Sequence, residues 1–330
     1  MRYARQKKYI EANEIDRNYP VGIKSPKFIT GFALRTLFII NPKSGAPKFV
    51  SRLQNLILSY FGTDDQEVSI IKSHNPAHVR EIAHREANEG AFMVVAVGGD
   101  GTVNMTAQGL IGTDTILGVI PTGSGNGFAR NVGIPLQLEK ALKLLKEPDI
   151  ATIDVGSVDD RIFLVTCGIG WEAVIASVFE GSKVRGIFPY ATAALSTFLQ
   201  YEPQQVEIYA EPGGWHFSGR PMMLSVANMR ELGVNVTISP EARTDDGLLD
   251  ICMIPRQDLL GVLKYTPEMF RQRTDTIPGY VRRLASELVI HRQIAGNIHL
   301  DGYPVSSGEE ITIKVIPAAL KIICRKEKLS

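Results

Sequence analysis

The sequence predicts an α/β protein of two domains, in which a largely parallel sheet precedes a mainly antiparallel β domain. Residues 36–152 alternate continuous apolar strands with helical segments, which is typical of a parallel sheet covered on both faces. From about Ile153 onwards, short strands with alternating polar and apolar residues favour antiparallel pairing with one wetted face. At 330 residues the chain is long enough for two hydrophobic cores.

Four strands and the helices between them are predicted in the first domain. The strands are RTLFII, EVSIIK, AFMVVAV and TILGVIP, and the main helical patterns are KFVSRLQNLILSYF and NPAHVREIAHREANEG. Asn75 is a suitable N-cap for the second of these helices, with Pro76 at its first position. The loops NPKSG, GGDGTVN and PTGSGNGFAR all follow strands, so they should meet at one edge of the sheet, where nucleotides bind such folds.

The second domain is predicted from many short strands with two helical interruptions. The strands are IFLVTCG, QVEIYAE, PMMLSVAN, LLDICMI, SELVIHR, NIHLDG and EITIKVI, and the helical stretches are WEAVIASVFEGSK with FPYATAALSTFLQY, and RQDLLGVLKYTPEMF. ALKIIC predicts a separate short strand. We therefore expect an N-terminal arm at 1–35, an α/β domain at 36–152, a β-rich domain at 153–316, and a segment at 317–330 that returns to the first domain.

Composition limits the classes of function. Thirty-six basic residues nearly balance 35 acidic ones, so no global field favours nucleic acid. Cys167, Cys252 and Cys324 are far apart and odd in number, which predicts neither a metal cluster nor a disulfide framework. The N-terminus is charged and no segment has 18 consecutive apolar residues, so neither a signal peptide nor a transmembrane segment is expected. These features favour a cytoplasmic location.

The run VVAVGGDGTVN contains an apparent conflict. A strand that ends in glycines before a helix is a common phosphate site, because free N–H groups and the helix dipole favour an anion. Asp100 in the middle of this loop would repel a phosphate. We expect Gly99 to adopt a positive φ at the turn. PTGSGNGFAR is a second glycine loop before a helix, and neither loop fits the dinucleotide or P-loop patterns.

The two glycine loops together resemble those of a known family. GGDGTVN followed about twenty residues later by PTGSGNGFAR is similar to the catalytic domain of diacylglycerol kinases and bacterial soluble lipid kinases, with sphingosine and ceramide kinases as relatives. The resemblance continues, in the family's order, through IDVGSV, FLVTCGIGWEAVI, NMRELGVNVTISPEARTDDGLLDICMI and IHLDGYPV. It covers residues 36–324, and it implies that the active site lies in the cleft between the two domains.

The resemblance implies transfer of the γ-phosphoryl group of ATP to a lipid hydroxyl with Mg²⁺. An acid in a phosphate loop becomes favourable once a divalent cation lies between them. Asp100 is then a magnesium ligand through water or a base near the attacking hydroxyl, and the first is favoured. The alternative is that Asp100 caps free N–H groups at a helix N-terminus. The ATP site implied by the resemblance comprises Asn41, Pro42, Lys43, Ser44, Gly45, Ser73, Gly98, Gly99, Asp100, Gly101, Thr102, Val103, Asn104, Thr122, Gly123, Ser124 and Asn126.

Two further sites are implied by the family's motifs. Asp154 in IDVG matches an acid near the catalytic centre, although a strand-end turn acid is the alternative. ARTDDGLLD matches a structural magnesium site with the Asp246 carboxylate and the carbonyls of Arg243 and Leu248; the alternative is a plain hairpin turn. FPYATAALSTFLQ is either an apolar wall for an acyl chain or ordinary core.

Tyr303 departs from the family, whose members carry a catalytic glutamate at this position in LDGYPV. A phenol is a poor base at neutral pH, since its ordinary pKa is about 10. We expect Tyr303 to be a packing or lipid-contact residue, with Asp100 or Asp301 handling the proton. The remaining alternatives are a kinase of a small soluble alcohol such as NAD, and a non-catalytic nucleotide-binding homologue. The expected partners are a lipid substrate at the inner membrane face and a second copy of the chain.

Overall fold

The computed structural model describes residues 34–42, 47–62, 66–180, 187–233 and 235–328. The following description concerns those ranges. Most of the predicted N-terminal arm lies outside the described residues, as do the predicted nucleotide-site residues Lys43, Ser44 and Gly45.

The first domain is the predicted α/β layer structure. Its strands are β1 (Leu34–Ile40), β2 (Gln66–Lys72), β3 (Met93–Gly98) and β4 (Ile116–Pro121), and its helices are α1 (Pro47–Phe61), α2 (Pro76–Asn88), α3 (Asp100–Leu110), α4 (Gly127–Asn131) and α5 (Leu138–Lys146). The four strands are parallel, in the order β2-β1-β3-β4. Alternate strand residues enter two cores, one beneath α2 and α3 and the other beneath α1 and α5. The sheet is therefore covered on both faces.

The cap predicted for α2 is confirmed. Asn75 is extended, and its Oδ1 accepts a hydrogen bond from the N–H of His78 at 2.9 Å, while Pro76 occupies the first helical position. Helix α3 begins at Asp100. The phosphate-loop acid is thus the first residue of a helix.

The second domain is mainly antiparallel. Its strands are β5 (Asp149–Val158), β6 (Arg161–Phe163), β7 (Thr166–Gly170), β8 (Val206–Glu211), β9 (Trp215–Gly219), β10 (Pro221–Ala227), β11 (Glu231–Gly233), β12 (Val236–Thr237), β13 (Leu249–Pro255), β14 (Val281–Ala285), β15 (Glu287–Arg292), β16 (Gly296–Leu300), β17 (Tyr303–Ser307) and β18 (Glu310–Cys324), and its helices are α6 (Trp171–Glu180), α7 (Ile187–Phe198) and α8 (Leu259–Phe270). One sheet has the order β14-β13-β10-β7-β16-β17. It packs against β8, β15 and the first half of β18, and a shared core lies between them.

Strand β18 joins the two domains, and it corrects the expectation of two separate strands. It runs without interruption from Glu310 to Cys324, because the pairing with β5 resumes after a register shift between Ile316 and Leu320. Beyond the shift, Ile322 pairs in parallel with Leu117 of β4. The sheet of the first domain is therefore continuous with one sheet of the second.

None of the helices in the described ranges combines the length and the apolar character that a membrane span requires.

Candidate functional site

The two glycine loops touch each other through their backbones. The N–H of Thr122 donates to the carbonyl of Gly98 at 2.9 Å, and a methyl group on Gly123 would lie only 2.5 Å from the Cα of Gly99. Glycine is needed here because no side chain fits between the loops. The expected positive φ of Gly99 is wrong, since its φ is −93°. Close approach, rather than an unusual backbone conformation, explains this glycine.

The end of β1 contacts the first glycine loop, and the end of β2 contacts the end of β1, as expected for parallel strands. The Asn41 side chain after β1 donates to the Thr102 hydroxyl at 3.1 Å. Ser73, which follows β2, donates from its N–H to the carbonyl of Ile40 at 2.9 Å. Any side chain on Gly98 would collide with the Thr102 side chain. These contacts hold the loop ends in one place at the carboxyl edge of the sheet.

The second glycine loop is closed by its own asparagine. Asn126 has a left-handed conformation (φ 53°), its Oδ1 accepts from the N–H of Gly123 at 3.0 Å, and its Nδ2 donates to the Gly123 carbonyl at 2.8 Å. The buried Thr122 hydroxyl has no hydrogen-bond partner among the described residues. An unpartnered buried hydroxyl is costly, so it marks a position where a polar ligand group would be stabilised.

Asp100 lies between the two loops. Its Oδ1 accepts a hydrogen bond from the N–H of Phe128 at 3.0 Å, so the carboxylate caps the N-terminus of α4. Its Oδ2 lies against Gly125, where an added methyl group would be 3.3 Å away. Burial raises the pKa of Asp100, and the N–H of Phe128 opposes that shift. Asp100 thus caps a helix N-terminus through Oδ1. Its Oδ2 faces the second glycine loop.

Asp301 is an anchor between the domains. Its carboxylate accepts from the N–H groups of Leu164, Val165 and Thr166 at 2.8–3.2 Å. Its Oδ2 also accepts from the Asn104 side chain of α3 at 2.8 Å. This set of donors satisfies both oxygens, so Asp301 fixes the β16–β17 turn against the first domain.

That turn places Tyr303 at the start of α3. Asp301 and Gly302 both have a positive φ (50° and 83°), and they form a two-residue turn of the kind that suits a tight hairpin. The Tyr303 phenol oxygen accepts from the N–H of Gly101 at 3.3 Å, and the residue is 48% exposed. The second domain therefore reaches the first turn of α3 through this hairpin.

Some predicted nucleotide-site residues lie away from the loop surfaces. Val103 is buried in the core beneath α2 and α3, and its N–H bonds to the carbonyl of Gly99. The Asn104 side chain donates to the Ile162 carbonyl and to the Asp301 carboxylate, where the two domains meet. Pro42 and Ser124 are exposed near the loops.

Asp154 and the ARTDDGLLD turn are brought together. Asp154 is buried; its Oδ1 accepts from the N–H of Ala318 and its Oδ2 from the N–H of Gly247, both at 2.7 Å. Asp246 is exposed, and its Oδ1 accepts from the N–H of Leu248 at 3.1 Å, which is a turn closed by its own side chain. The described residues contain no cluster of three or more metal-ligating His, Cys, Asp or Glu side chains.

Two buried groups were not predicted from the sequence. Glu172 at the start of α6 accepts from the N–H of Leu224 and the hydroxyl of Ser225 through Oε1, while its buried Oε2 has no partner among the described residues. Burial raises the pKa of Glu172 to about 7 and lowers that of His299 to about 4. Both side chains pack against Gly168. The glycines around Glu172 in CGIGWEAV are the only local signal for this cluster.

Comparison with known proteins agrees with this geometry. Residues 35–158 match the model of the diacylglycerol kinase catalytic domain, and residues 165–324 match that of the YegS C-terminal NAD kinase beta sandwich-like domain. A Pseudomonas putida protein described as a probable lipid kinase YegS-like is 32% identical over 241 residues, which cover 71% of this chain and 77% of that protein. A Salmonella paratyphi A protein described as probable lipid kinase YegS is 31% identical over 243 residues, covering 72% and 78%.

The fold is shared with a solved structure. A crystal structure of a diacylglycerol kinase from Bacillus anthracis superimposes with a TM-score of 0.68 at 19% identity, covering 89% of this chain and 98% of that chain. The predicted fold class and the family resemblance are both confirmed. The chain belongs to the diacylglycerol kinase catalytic-domain family and is a phosphotransferase of the kinase class.

Proposed function

We propose that this protein transfers the γ-phosphoryl group of ATP to the hydroxyl group of a lipid, with Mg²⁺ as the cation. The observation that carries the proposal is the contact of two glycine loops at the carboxyl edge of the sheet, with Asp100 between them and Tyr303 of the second domain at the first turn of α3. Phosphoryl transfer depends mainly on positioning and charge stabilisation, which such a cradle supplies.

The phosphates would lie at the N-terminus of α3 and along the second glycine loop. The dipole of α3 favours an anion there. Gly99 and Gly123 let the phosphate chain approach the backbone closely, and the Thr122 hydroxyl offers a donor that has no partner among the described residues.

The residues present fit a magnesium ion between Asp100 and the phosphates. Mg²⁺ is commonly held by one or two carboxylates, substrate phosphates and water, so a single loop carboxylate suffices. When bound, the ion supplies charge neutralisation for the transferred group. Burial raises the pKa of Asp100. An adjacent cation would oppose that shift, because it favours the ionised carboxylate.

The other acids have positioning roles in this proposal. Both oxygens of Asp301 and both oxygens of Asp154 accept backbone or amide N–H groups, so they order the cleft rather than move a proton. Tyr303 contributes ring packing and a neutral oxygen at the site. A second cation at Asp246 is compatible with its exposed carboxylate, but the turn is also closed without one.

A lipid acceptor is favoured by the names of the related proteins, which are probable lipid kinases. The protein would then work in the cytoplasm at the membrane surface. A small soluble acceptor such as NAD is the second candidate, because the second domain matches a sandwich described as NAD kinase-like.

The decisive experiment is transfer of ³²P from γ-labelled ATP to a panel of acceptors. The panel comprises diacylglycerol, a sphingoid base, ceramide and a polyprenol in mixed micelles, with NAD in parallel. We expect a labelled lipid that depends on added Mg²⁺ and disappears in Asp100→Asn. Labelling of NAD alone would replace the lipid acceptor, and no labelling of any acceptor would favour a non-catalytic homologue.

A further inference from the structure

The side chain of Asn131, the last residue of α4, contacts the second domain. Its Nδ2 donates to the carbonyl of Gly127 in its own helix and to the carbonyl of Glu231 in β11, both at 3.0 Å. Its Oδ1 accepts from the N–H of Glu231, also at 3.0 Å. The amide of Asn131 thus exchanges two hydrogen bonds with Glu231, as a residue of a neighbouring strand does. We call this pairing the α4–β11 contact.

Arg130 makes a second connection to the same part of the second domain. Its Nε donates to the carbonyl of Gly125 at 3.1 Å, and its Nη1 donates to Oδ1 of Asn235 at 3.4 Å. Gly125 belongs to the second glycine loop, and Asn235 lies between β11 and β12. The end of α4 is therefore joined to this pair of strands at two points.

Strand β11 lies against the start of α4, which Asp100 caps. A methyl group on Gly127 would be 3.5 Å from the carbonyl oxygen of Leu232 and 3.6 Å from the Cα of Gly233. The same methyl group would be 3.8 Å from Oδ1 of Asp100. The backbone of β11 and the Asp100 carboxylate thus border one point beside the second glycine loop. Because the second domain would bind the acceptor in the proposed reaction, β11 belongs to the wall from which the acceptor approaches.

The nucleotide side of the cleft keeps its shape through other contacts. Asn126 closes the second glycine loop through the N–H and the carbonyl of Gly123, and the N–H of Phe128 holds Asp100. Asn131 takes part in none of these hydrogen bonds. Loss of the Asn131 side chain should therefore alter the position of β11 and leave the proposed phosphate site in place.

We propose that Asn131 is a positioning residue, which holds β11 at a fixed position relative to Asp100 so that the acceptor hydroxyl lies in line with the γ-phosphoryl group. This inference rests on the proposed function, because it concerns the second substrate of that reaction. Phosphoryl transfer depends on the alignment of the attacking and leaving oxygens. A displacement of about 1 Å can lower such a rate by about a hundredfold, so a contact that fixes the acceptor side has a direct effect on turnover.

Two substitutions of Asn131 test the contact. Asn131→Asp keeps the size of the side chain and an acceptor for the Glu231 N–H, but a carboxylate cannot donate to the carbonyls of Glu231 and Gly127. Asn131→Ala removes all of these hydrogen bonds. The matched controls are Asn88→Asp and Asn88→Ala, since Asn88 is exposed at the end of α2 and its amide bonds to His84 of the same helix.

A further variant leaves Asn131 unchanged. Asn235→Gly removes the acceptor for Arg130, and glycine accommodates the φ of 64° at this exposed position. This change weakens the attachment of β11 and β12 without altering α4, so it decides the question if the Asn131 variants do not fold. Circular dichroism and thermal melts establish the fold of each variant.

The measurements are the Kd of Mg-ATP by calorimetry, kcat for ³²P transfer to the acceptor that the wild type labels in the panel, and release of free phosphate by transfer to water. We expect the Asn131 variants to bind ATP within about threefold of the wild type, while kcat for the acceptor falls by about tenfold or more. Asn235→Gly should lower kcat less. The ratio of hydrolysis to transfer should rise, since water does not depend on β11 for its position. The Asn88 controls should behave as the wild type.

A wild-type kcat in the Asn131 variants, or in Asn235→Gly if those variants do not fold, would overturn the inference. Parallel losses of ATP affinity and of transfer would also overturn it, because they would assign Asn131 to the nucleotide site or to the fold. Both results leave the proposed function standing. Failure of the wild type to label any acceptor would instead remove the proposed function, and this inference with it.

Discussion

The backbone N–H of Gly101 donates a hydrogen bond to the phenol oxygen of Tyr303 across the cleft, with the two atoms 3.3 Å apart. The tyrosine ring lies so close that a methyl group on Gly101 would be 2.9 Å from the ring carbon and the oxygen of the phenol. Glycine at position 101 is thus matched to tyrosine at position 303. One N–H group in the first turn of α3 therefore donates its hydrogen bond to the second domain.

Replacing Tyr303 with Phe tests the role of the phenol oxygen. The ring contact is kept and the Gly101 N–H is released, so we expect phosphoryl transfer within about tenfold of the wild type, because no base is lost. The measurement is the steady-state rate at saturating ATP. A loss greater than about a hundredfold, which is typical of losing a general base, would make the phenol catalytic. Activity that appears only in Tyr303→Glu would instead show that the wild type is inert.

Asp100→Asn and Asp100→Ala separate two roles of this side chain. Asparagine can still accept from the Phe128 N–H, so we expect wild-type stability but no detectable transfer, since the charge that would hold the proposed magnesium ion is lost. Alanine removes the cap as well, and it should cost about 1 kcal/mol of unfolding free energy. Urea unfolding and the labelled-ATP assay measure the two effects. Normal turnover by Asp100→Asn would refute the magnesium role.

The two glycine loops should tolerate substitution unequally. A methyl group on Gly123 would meet the Gly99 backbone at 2.5 Å, whereas one on Gly99 would lie 3.1 Å from Gly123. We therefore expect Gly123→Ala to lose more ATP affinity and more stability than Gly99→Ala, because the first contact forces the backbones further apart. Equilibrium titration with ATP and thermal melts give the order. An equal effect of both changes would contradict the contact.

The Asp246 turn allows its cation to be tested apart from its hydrogen bond. Asp246→Asn keeps the acceptor for the Leu248 N–H and removes the charge. If a structural Mg²⁺ is held there, the wild-type melting temperature should rise with added Mg²⁺, because a ligand of the folded state stabilises it. The asparagine variant should not respond. A wild-type melting temperature that ignores both Mg²⁺ and chelator would leave only a hairpin turn.

The raised pKa of Glu172 leads us to expect an unusual dependence of stability on pH. Its pKa of about 7 in the fold lies above the ordinary 4.5, so its contribution to stability is present below about 4.5 and is lost as the pH rises through 7. His299, with a pKa of about 4, acts in the opposite sense as the pH falls below 6.5. Because the two contributions overlap, the comparison with Glu172→Gln is needed to isolate one of them.

The free energy of unfolding of Glu172→Gln minus that of the wild type should rise by about 3 kcal/mol from about pH 4.5 to about pH 8. Urea unfolding at both pH values measures this difference, and Glu67→Gln on an exposed strand position serves as the control. A difference between wild type and Glu172→Gln that does not change with pH would mean that Glu172 stays ionised in the fold.

The sequence was sufficient where the signal is local. The apolar runs before each glycine loop predicted the parallel strands, and Asn75 followed by Pro76 predicted the start of α2. The sequence predicts two strands in place of β18, where Pro317 has no N–H to donate. In the structure the strand continues past Pro317, and Ala318 has a positive φ of 47°. The N–H of Ala318 is held by Asp154, a residue 164 positions away, and no local pattern reports such a contact.

The candidate site was predictable to a similar extent. A positive φ was expected at Gly99, and the structure does not have it. Sequence cannot distinguish a glycine needed for a positive φ from one needed for close approach, because both needs select the same residue. The occupation of the Gly101 N–H by Tyr303 arises from the turn at Asp301, which is fixed by contacts with α3 and residues 164–166. Such a relationship depends on tertiary structure and has no signature in either segment alone.

The passage of β18 through both domains has a consequence for synthesis on the ribosome. Strand β4 obtains its outer neighbour only when Ile322 has been made, about two hundred residues after Leu117. Until then, the first domain exposes an unpaired strand edge, a surface prone to association with other chains. Pairing at such a separation also slows folding, because a long loop must close before the contact forms. Ending translation before residue 310 should therefore yield a first domain that aggregates, because it lacks both the strand that covers this edge and the core residues Leu320, Ile322 and Ile323.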